Sequence, residues 1–155
     1  MDSIRIWRSP LTKFGHFTKE LDDLNENETV TANKVYSDKE LSRISKSGFN
    51  AIWVHGLLRN IVKSEVFPEL GENSAIHQKN MKELISRAAR HSLKVFIFMQ
   101  PPRGIWDGSE FWKKHPDVGG NIETISIGEE VKIRCLCTST PEVKKDLETS
   151  AAAAA

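Results

Sequence analysis

The chain has 155 residues, 39% hydrophobic and 28% charged, and its 22 basic against 21 acidic residues give a formal charge of +1. These values suit one compact domain with a real core. They argue against a nucleic-acid or membrane-surface partner, because no basic block exceeds the pairs Lys113-Lys114 and Lys144-Lys145.

The opening, MDSIRIWRSPL, lacks the apolar core of a secretory signal, so the chain reads as intracellular, with a cytoplasmic location favoured, or as already processed. Residues 1–36 form an irregular N-terminal segment. SIRIW reads as a short strand ended by Ser9-Pro10, and KELDDLNENETVTANK, with no sustained period, reads as a loop with at most one helical turn.

The signals sharpen at Tyr36. Ser37 is a predicted N-cap, Glu40 completes a capping box, and Tyr36 and Leu41 take the hydrophobic-staple positions. Leu41 and Ile44 share a face, Gly48 suits a left-handed helix stop, and FNAIWVH follows as a strand. The cycle then repeats. Ser74 caps a helix whose apolar positions are Met81, Leu84, Ile85 and Ala88, followed by the strand KVFIFMQ. Its unbroken apolar run, Val95 to Met99, suits a parallel strand covered on both faces and is far too short to cross a bilayer.

Beyond Pro101-Pro102 come a short helix, SEFWKKH, and two strands about Gly128 in ETISIGEEVKIRCLC, the second a candidate to join the main sheet. A last helix opens at STPEVKKDLE, with Ser139 or Thr140 capping and Pro141 in the first turn. The alanines at 151–155 read as low complexity, an expression remnant or a stand-in for unidentified side chains, and no functional assignment rests on them.

The resulting order is α/β: parallel βα units over 37–150 with a small β-hairpin insertion. Periodicity does not choose between a barrel and a doubly wound sheet, although no Gly-x-Gly-x-x-Gly loop follows any strand. Cys135 and Cys137, two apart on a strand, cannot form an ordinary disulfide together and lack the partners for zinc, so they read as small buried apolar residues. No metal or cofactor is expected.

Ligands of parallel α/β folds meet the carboxyl ends of the strands. The first such end offers His55 and Arg59, the second Gln100 and Arg103, and the third Cys137, Thr138 and Ser139, with Trp106 and Trp112 on the loop after the second. Polar groups beside indoles suit a carbohydrate ligand. His55 is weighed evenly between lining a site and bonding a loop carbonyl, whereas Arg59, a candidate ligand contact, reads first as a loop anchor. Arg103, after two prolines, is the chosen ligand-contacting cation and Trp106 the stacking platform. Trp53 reads as core, Trp112 as packing for its helix, and His77, His91 and His115 as surface or helix-end residues.

At these residues the chain resembles a glycoside-hydrolase (β/α) barrel. DKELSRISKSGFNAIWVHGLLR is similar to a first helix and strand, MKELISRAARHSLKVFIFMQPPRG to the next unit, and CTSTPEVKKDLE to the one after. The nearest group is the family-20 β-hexosaminidase-like enzymes and their uncharacterised relatives, over roughly residues 36–149. The resemblance implies that His55 matches a histidine near the substrate at the end of the first strand. MQPPRG stands where the family has an acidic residue, Met-Pro-Gly and His, so Gln100 and Arg103 replace other polar groups. Ser92 occupies the place of a glycine, where a left-handed L-residue costs about 1 kcal/mol.

The family's catalytic Asp-Glu pair follows a later strand and has no counterpart here; Glu129-Glu130 reads as solvated charge in a hairpin turn. A full barrel of this kind needs about 250 residues and eight βα units. The chain is therefore expected to be the N-terminal part of a larger barrel, inactive alone, with a non-catalytic carbohydrate-binding module or a structural half-barrel assembling with a partner chain as alternatives. An incomplete barrel leaves open edges and an uncovered inner face, with Phe96, Ile97 and Phe98 notable on the strand, which implies self-association.

Overall fold

Ser37 and Gly48 bracket the first strongly signalled helix and act as expected in the computed structural model, which describes residues 3–13, 19–100, 104–127 and 129–154. In helix α2 (Asp38–Lys46), the Ser37 side chain accepts from the Glu40 amide, and Gly48 turns the chain at φ +87°. The Glu40 carboxylate pairs with Arg43. Helix α1 (Glu28–Val35) precedes it. This corrects the loop expected there.

Helix α1 has only weak amphipathic character of its own, so tertiary contacts must fix it. Arg87 of helix α4 (Ser74–Arg90) supplies two of them, donating to the Asn33 carbonyl at 3.0 Å and the Tyr36 carbonyl at 2.7 Å. A cation thus meets the carbonyl end of α1, where the helix dipole favours it. Ser74 begins α4 without serving as its cap; Asn73 holds that position and makes no side-chain cap bond.

Three parallel strands follow the order β1 (Ile6–Trp7), β2 (Ala51–Leu57), β3 (Lys94–Gln100). Between β2 and β3 every residue pairs in register, from Ala51 with Lys94 to Leu57 with Gln100. Because side chains alternate across a strand, this register divides the sheet cleanly. Ile52, Val54, Val95 and Ile97, with Trp7, pack against Ala32, Tyr36, Leu41, Ile44, Met81, Leu84 and Ala88 of the three helices. The other face carries Ile6, Trp53, His55, Phe96, Phe98 and Gln100.

Part of that second face is exposed. Ile6, Phe96 and Phe98 are 42%, 36% and 46% exposed. The apolar run of β3 is therefore covered on one side, and Ile97 belongs to the covered side. Ile85, assigned to the apolar stripe of α4, is instead exposed. It sits one position past Leu84, rotated away from the sheet.

The remaining elements build a second layer. After the one-turn helix α3 (Leu58–Ile61) and β3 come β4 (Ile105–Trp106), helix α5 (Glu110–Lys114), β5 (Gly119–Ile127), β6 (Glu129–Leu136) and helix α6 (Pro141–Ala154). Strands β4, β6 and β5 form their own antiparallel sheet. The hairpin is as expected, but its second strand does not join the parallel sheet. The third parallel βα unit is thus absent among the described residues, and the sheet is open, without a closed barrel. Phe67, Leu70, Ile105, Phe111, Trp112, Val118, Leu136 and Val143 form the core of this layer. Helix α6 is tied down by Asp146, whose carboxylate accepts a hydrogen bond from the Ser64 hydroxyl. Burial pushes the Asp146 carboxyl above the usual range, against that bond. Cys135 and Cys137 are half-buried thiols rather than core residues.

Ser92 lies between α4 and β3 at φ +57°, the conformation anticipated from its place. A β-carbon is strained there and glycine is not. Ser92→Gly is expected to raise unfolding stability by about 1 kcal/mol, measured by urea titration. No gain, or a loss, would mean that the serine side chain compensates for its backbone.

Candidate functional site

The register of β2 and β3 sets Phe98 beside His55 and Gln100 one step above, at the carboxyl end of the sheet. His55 Nε2 lies 2.7 Å from Gln100 Oε1. An amide oxygen can only accept, so Nε2 carries the proton and donates. His55 is 2% exposed. The buried imidazole thus orients the Gln100 side chain, and the amide hydrogens of Gln100 are not used in that bond.

Aromatic surface continues down the same face. Phe98 stacks on Trp53 with ring centroids 5.5 Å apart and lies 6.0 Å from the His55 ring. The Arg8 guanidinium covers Trp53 at 3.9 Å from the ring centroid, a cation–π contact. Trp53 is thus part of this open face rather than the core. Phe98 is the exposed ring of the set.

Below this surface Arg8 makes a bidentate pair with Glu28, at 3.1 and 2.9 Å. Glu28 is 1% exposed. Burial pushes its carboxyl above the usual range, while Arg8, the His55 backbone amide and Thr12 pull it back. Sequence reading missed this pair, since Glu28 lay in a stretch assigned to loop.

The other expected site residues separate. Arg59 is buried in α3 and donates to the Gly104 carbonyl at 3.2 Å. Burial lowers its pKa to about 10, with the Asp22 charge opposing. It is the loop anchor of the two readings. A β-carbon on Gly104 would fall 2.6 Å from Ile133 Cδ1, so this anchored glycine also seats the chain against the second sheet. Arg103 lies outside the described residues. Cys137 follows a strand of the antiparallel sheet and does not join His55 and Gln100.

Trp106 lines a separate cleft of about 360 Å³ with Lys19, Asp107, Gly108, Thr124, Glu130, Val131 and Lys132. Its indole lies against Gly108, where a β-carbon would approach within 2.5 Å of the ring. Asp107 is held by Arg134 at 2.8 Å. His55 and Gln100 do not line this cleft.

One buried cluster was read as surface. His77 is 0% exposed. Its Nε2 lies 2.9 Å from an Asp22 carboxylate oxygen and its Nδ1 2.7 Å from Thr29 Oγ1. Asn27 and Asn60 also donate to Asp22, at 2.8 and 3.1 Å. The carboxylate-imidazole-hydroxyl order is that of a nucleophilic triad. Thr29, however, is 2% exposed and packs beneath Gly56, 3.4 Å from where a β-carbon would stand. No substrate reaches it there, and the cluster instead fastens α1, α3 and α4 together. The signal was present in spacing: His77 stands four residues before Met81 on the stripe of Leu84 and Ala88.

Among the described residues no group of three or more His, Cys, Asp or Glu side chains is arranged to hold a metal ion. No helix among them is long and apolar enough to cross a membrane. The chain matches no family model, no curated protein and no solved structure.

Replacing His77 by alanine removes one partner from Thr29 and one from Asp22 and leaves a cavity. His77→Ala is expected to cost about 3 kcal/mol, measured by thermal or chemical unfolding. A loss under about 0.5 kcal/mol, the size typical of a surface change, would show that the cluster does not fasten the helices.

Proposed function

We propose that this chain is the N-terminal part of a glycoside-hydrolase-like (β/α) barrel, and that it contributes sugar-contacting residues without the catalytic carboxylates. One observation carries the reading: Phe98 and Gln100 stand together at the carboxyl end of a parallel sheet whose helices cover only the opposite face. An aromatic ring offers a pyranose its apolar face, and an oriented amide offers donors to its hydroxyls. His55 and Arg8 support this pair, the first by holding the Gln100 side chain, the second by lying over the Trp53 ring. Arg59 fixes the neighbouring loop.

The ionisable groups on this face do not make an acid-base pair. Glu28 is fully engaged with Arg8 and shielded from ligand. Hydrolysis of a glycosidic bond needs a proton donor at the leaving oxygen and a second group at the anomeric centre. The reaction therefore requires residues outside this set.

A second reading, a non-catalytic carbohydrate-binding module, draws on a different observation. The Trp106 cleft has an indole beside Asp107, Thr124, Glu130 and Lys132, the mixture of stacking surface and polar groups that sugar recognition uses.

Binding and turnover separate these readings. Titration of the chain with a panel of sugars, including N-acetylglucosaminides, followed by calorimetry, is expected to show binding with no release from chromogenic glycosides. Gln100→Ala should weaken that binding about fivefold, the equivalent of one hydrogen bond near 1 kcal/mol, and Phe98→Ala by at least as much. Loss on Trp106→Ala alone would favour the binding-module reading. No binding to any sugar would remove both. Turnover that survives repurification and vanishes on mutating Glu129 or Glu130 would overturn the assignment of those residues as solvated charge.

A further inference from the structure

Strand β3 ends the parallel sheet, with β2 on one side and no strand on the other among the described residues. Native proteins protect such edges by short length, bulges, prolines or charges. The two-residue β1 at the opposite edge is protected by its length. In the second sheet, the edge strand β5 carries a register irregularity between Gly119 and Ile122 and the charge of Glu123. Strand β3 has none of these devices along its middle. It pairs with β2 over seven residues without a shift, and its single charge, Lys94, stands at one end.

We propose that β3, at whose outer edge no strand of the described residues stands, pairs antiparallel with β3 of a second copy of this chain about a two-fold axis at Ile97, a pairing that competes with any further barrel strand for the same edge. The sequence Lys94-Val-Phe-Ile-Phe-Met-Gln100 is complementary to itself in that register. Phe96 of one copy faces Phe98 of the other, Val95 faces Met99, and Ile97 faces its own equivalent. Lys94 faces Gln100, so no like charges oppose.

Sliding the axis by one residue in either direction sets Lys94 against Phe98, or Gln100 against Phe96, and leaves an end unpaired. Only the centred register uses all seven positions. Two copies of one surface then meet as an isologous interface, the commonest symmetry of soluble oligomers. The exposed rings of Phe96 and Phe98, 36% and 46% accessible in the single chain, become cross-strand aromatic pairs, which stabilise antiparallel strands.

The register makes a charge-swap test possible. Light scattering after size exclusion, across a dilution series, should give the wild-type chain twice its 17.5 kDa mass at high micromolar concentration, falling to the monomer on dilution. Phe96→Lys/Phe98→Lys places lysines opposite one another on both sides of the axis and should be monomeric throughout. Phe96→Glu/Phe98→Lys places opposite charges there and should remain dimeric. A wild type that is monomeric at every concentration overturns the proposal, as do assemblies larger than two. Equal behaviour of the two double variants overturns the antiparallel register. The mass readout needs no sugar, so its failure leaves the carbohydrate reading untouched.

Discussion

The in-register parallel pairing of β2 with β3 determines what both faces of the sheet present. Side chains alternate with a period of two, so a slip of one residue would exchange the faces completely. In the observed register Ile52, Val54, Val95 and Ile97 are sealed by helices, and Trp53, His55, Phe98 and Gln100 gather on the open face. The hydrogen bond from His55 to Gln100 exists only because these strands are neighbours and run the same way.

Holding the helices against that register falls to buried polar groups as much as to apolar packing. His77 reaches Asp22 and Thr29, Arg87 reaches the carbonyls of Asn33 in α1 and of Tyr36 just after it, and Glu28 of the same helix reaches Arg8 after β1. A buried polar group left unpaired costs free energy, so each bond is required once its partners are inside. Together they fix α1, which has little intrinsic reason to be a helix. The same contacts place Glu28 under the open face, where it secures Arg8 and so the Trp53 ring above it.

Much of this was legible in local sequence. Ser37, Gly48 and the strand KVFIFMQ announced themselves by capping chemistry and apolar run, whereas the left-handed Ser92 was expected only from the glycine position that the barrel resemblance implies. Helix α1 was not legible, because it is held by residues far along the chain, His77 and Arg87. The partner of β6 was not legible either: an apolar alternating strand looks alike in a parallel and an antiparallel sheet, and strand pairing is a long-range choice. Of the candidate site residues, the rule that ligands meet strand ends singled out His55 and Gln100, which the register does bring together, but that rule says nothing of which side chain would hold the other. Phe98 was noticed only as apolar bulk. The role proposed for it rests on its exposure, which no local pattern encodes.

Cross-strand nuclear Overhauser contacts test the pairing most directly. The register described requires the parallel pattern of α-proton to amide contacts between β2 and β3, centred on the pairs Trp53 with Phe96 and His55 with Phe98, together with a proton on His55 Nε2. Short α-proton to α-proton contacts between these strands, as in antiparallel pairing, or the parallel pattern displaced by one residue, would contradict it. Either result would dissolve the shared face on which Phe98 and Gln100 stand.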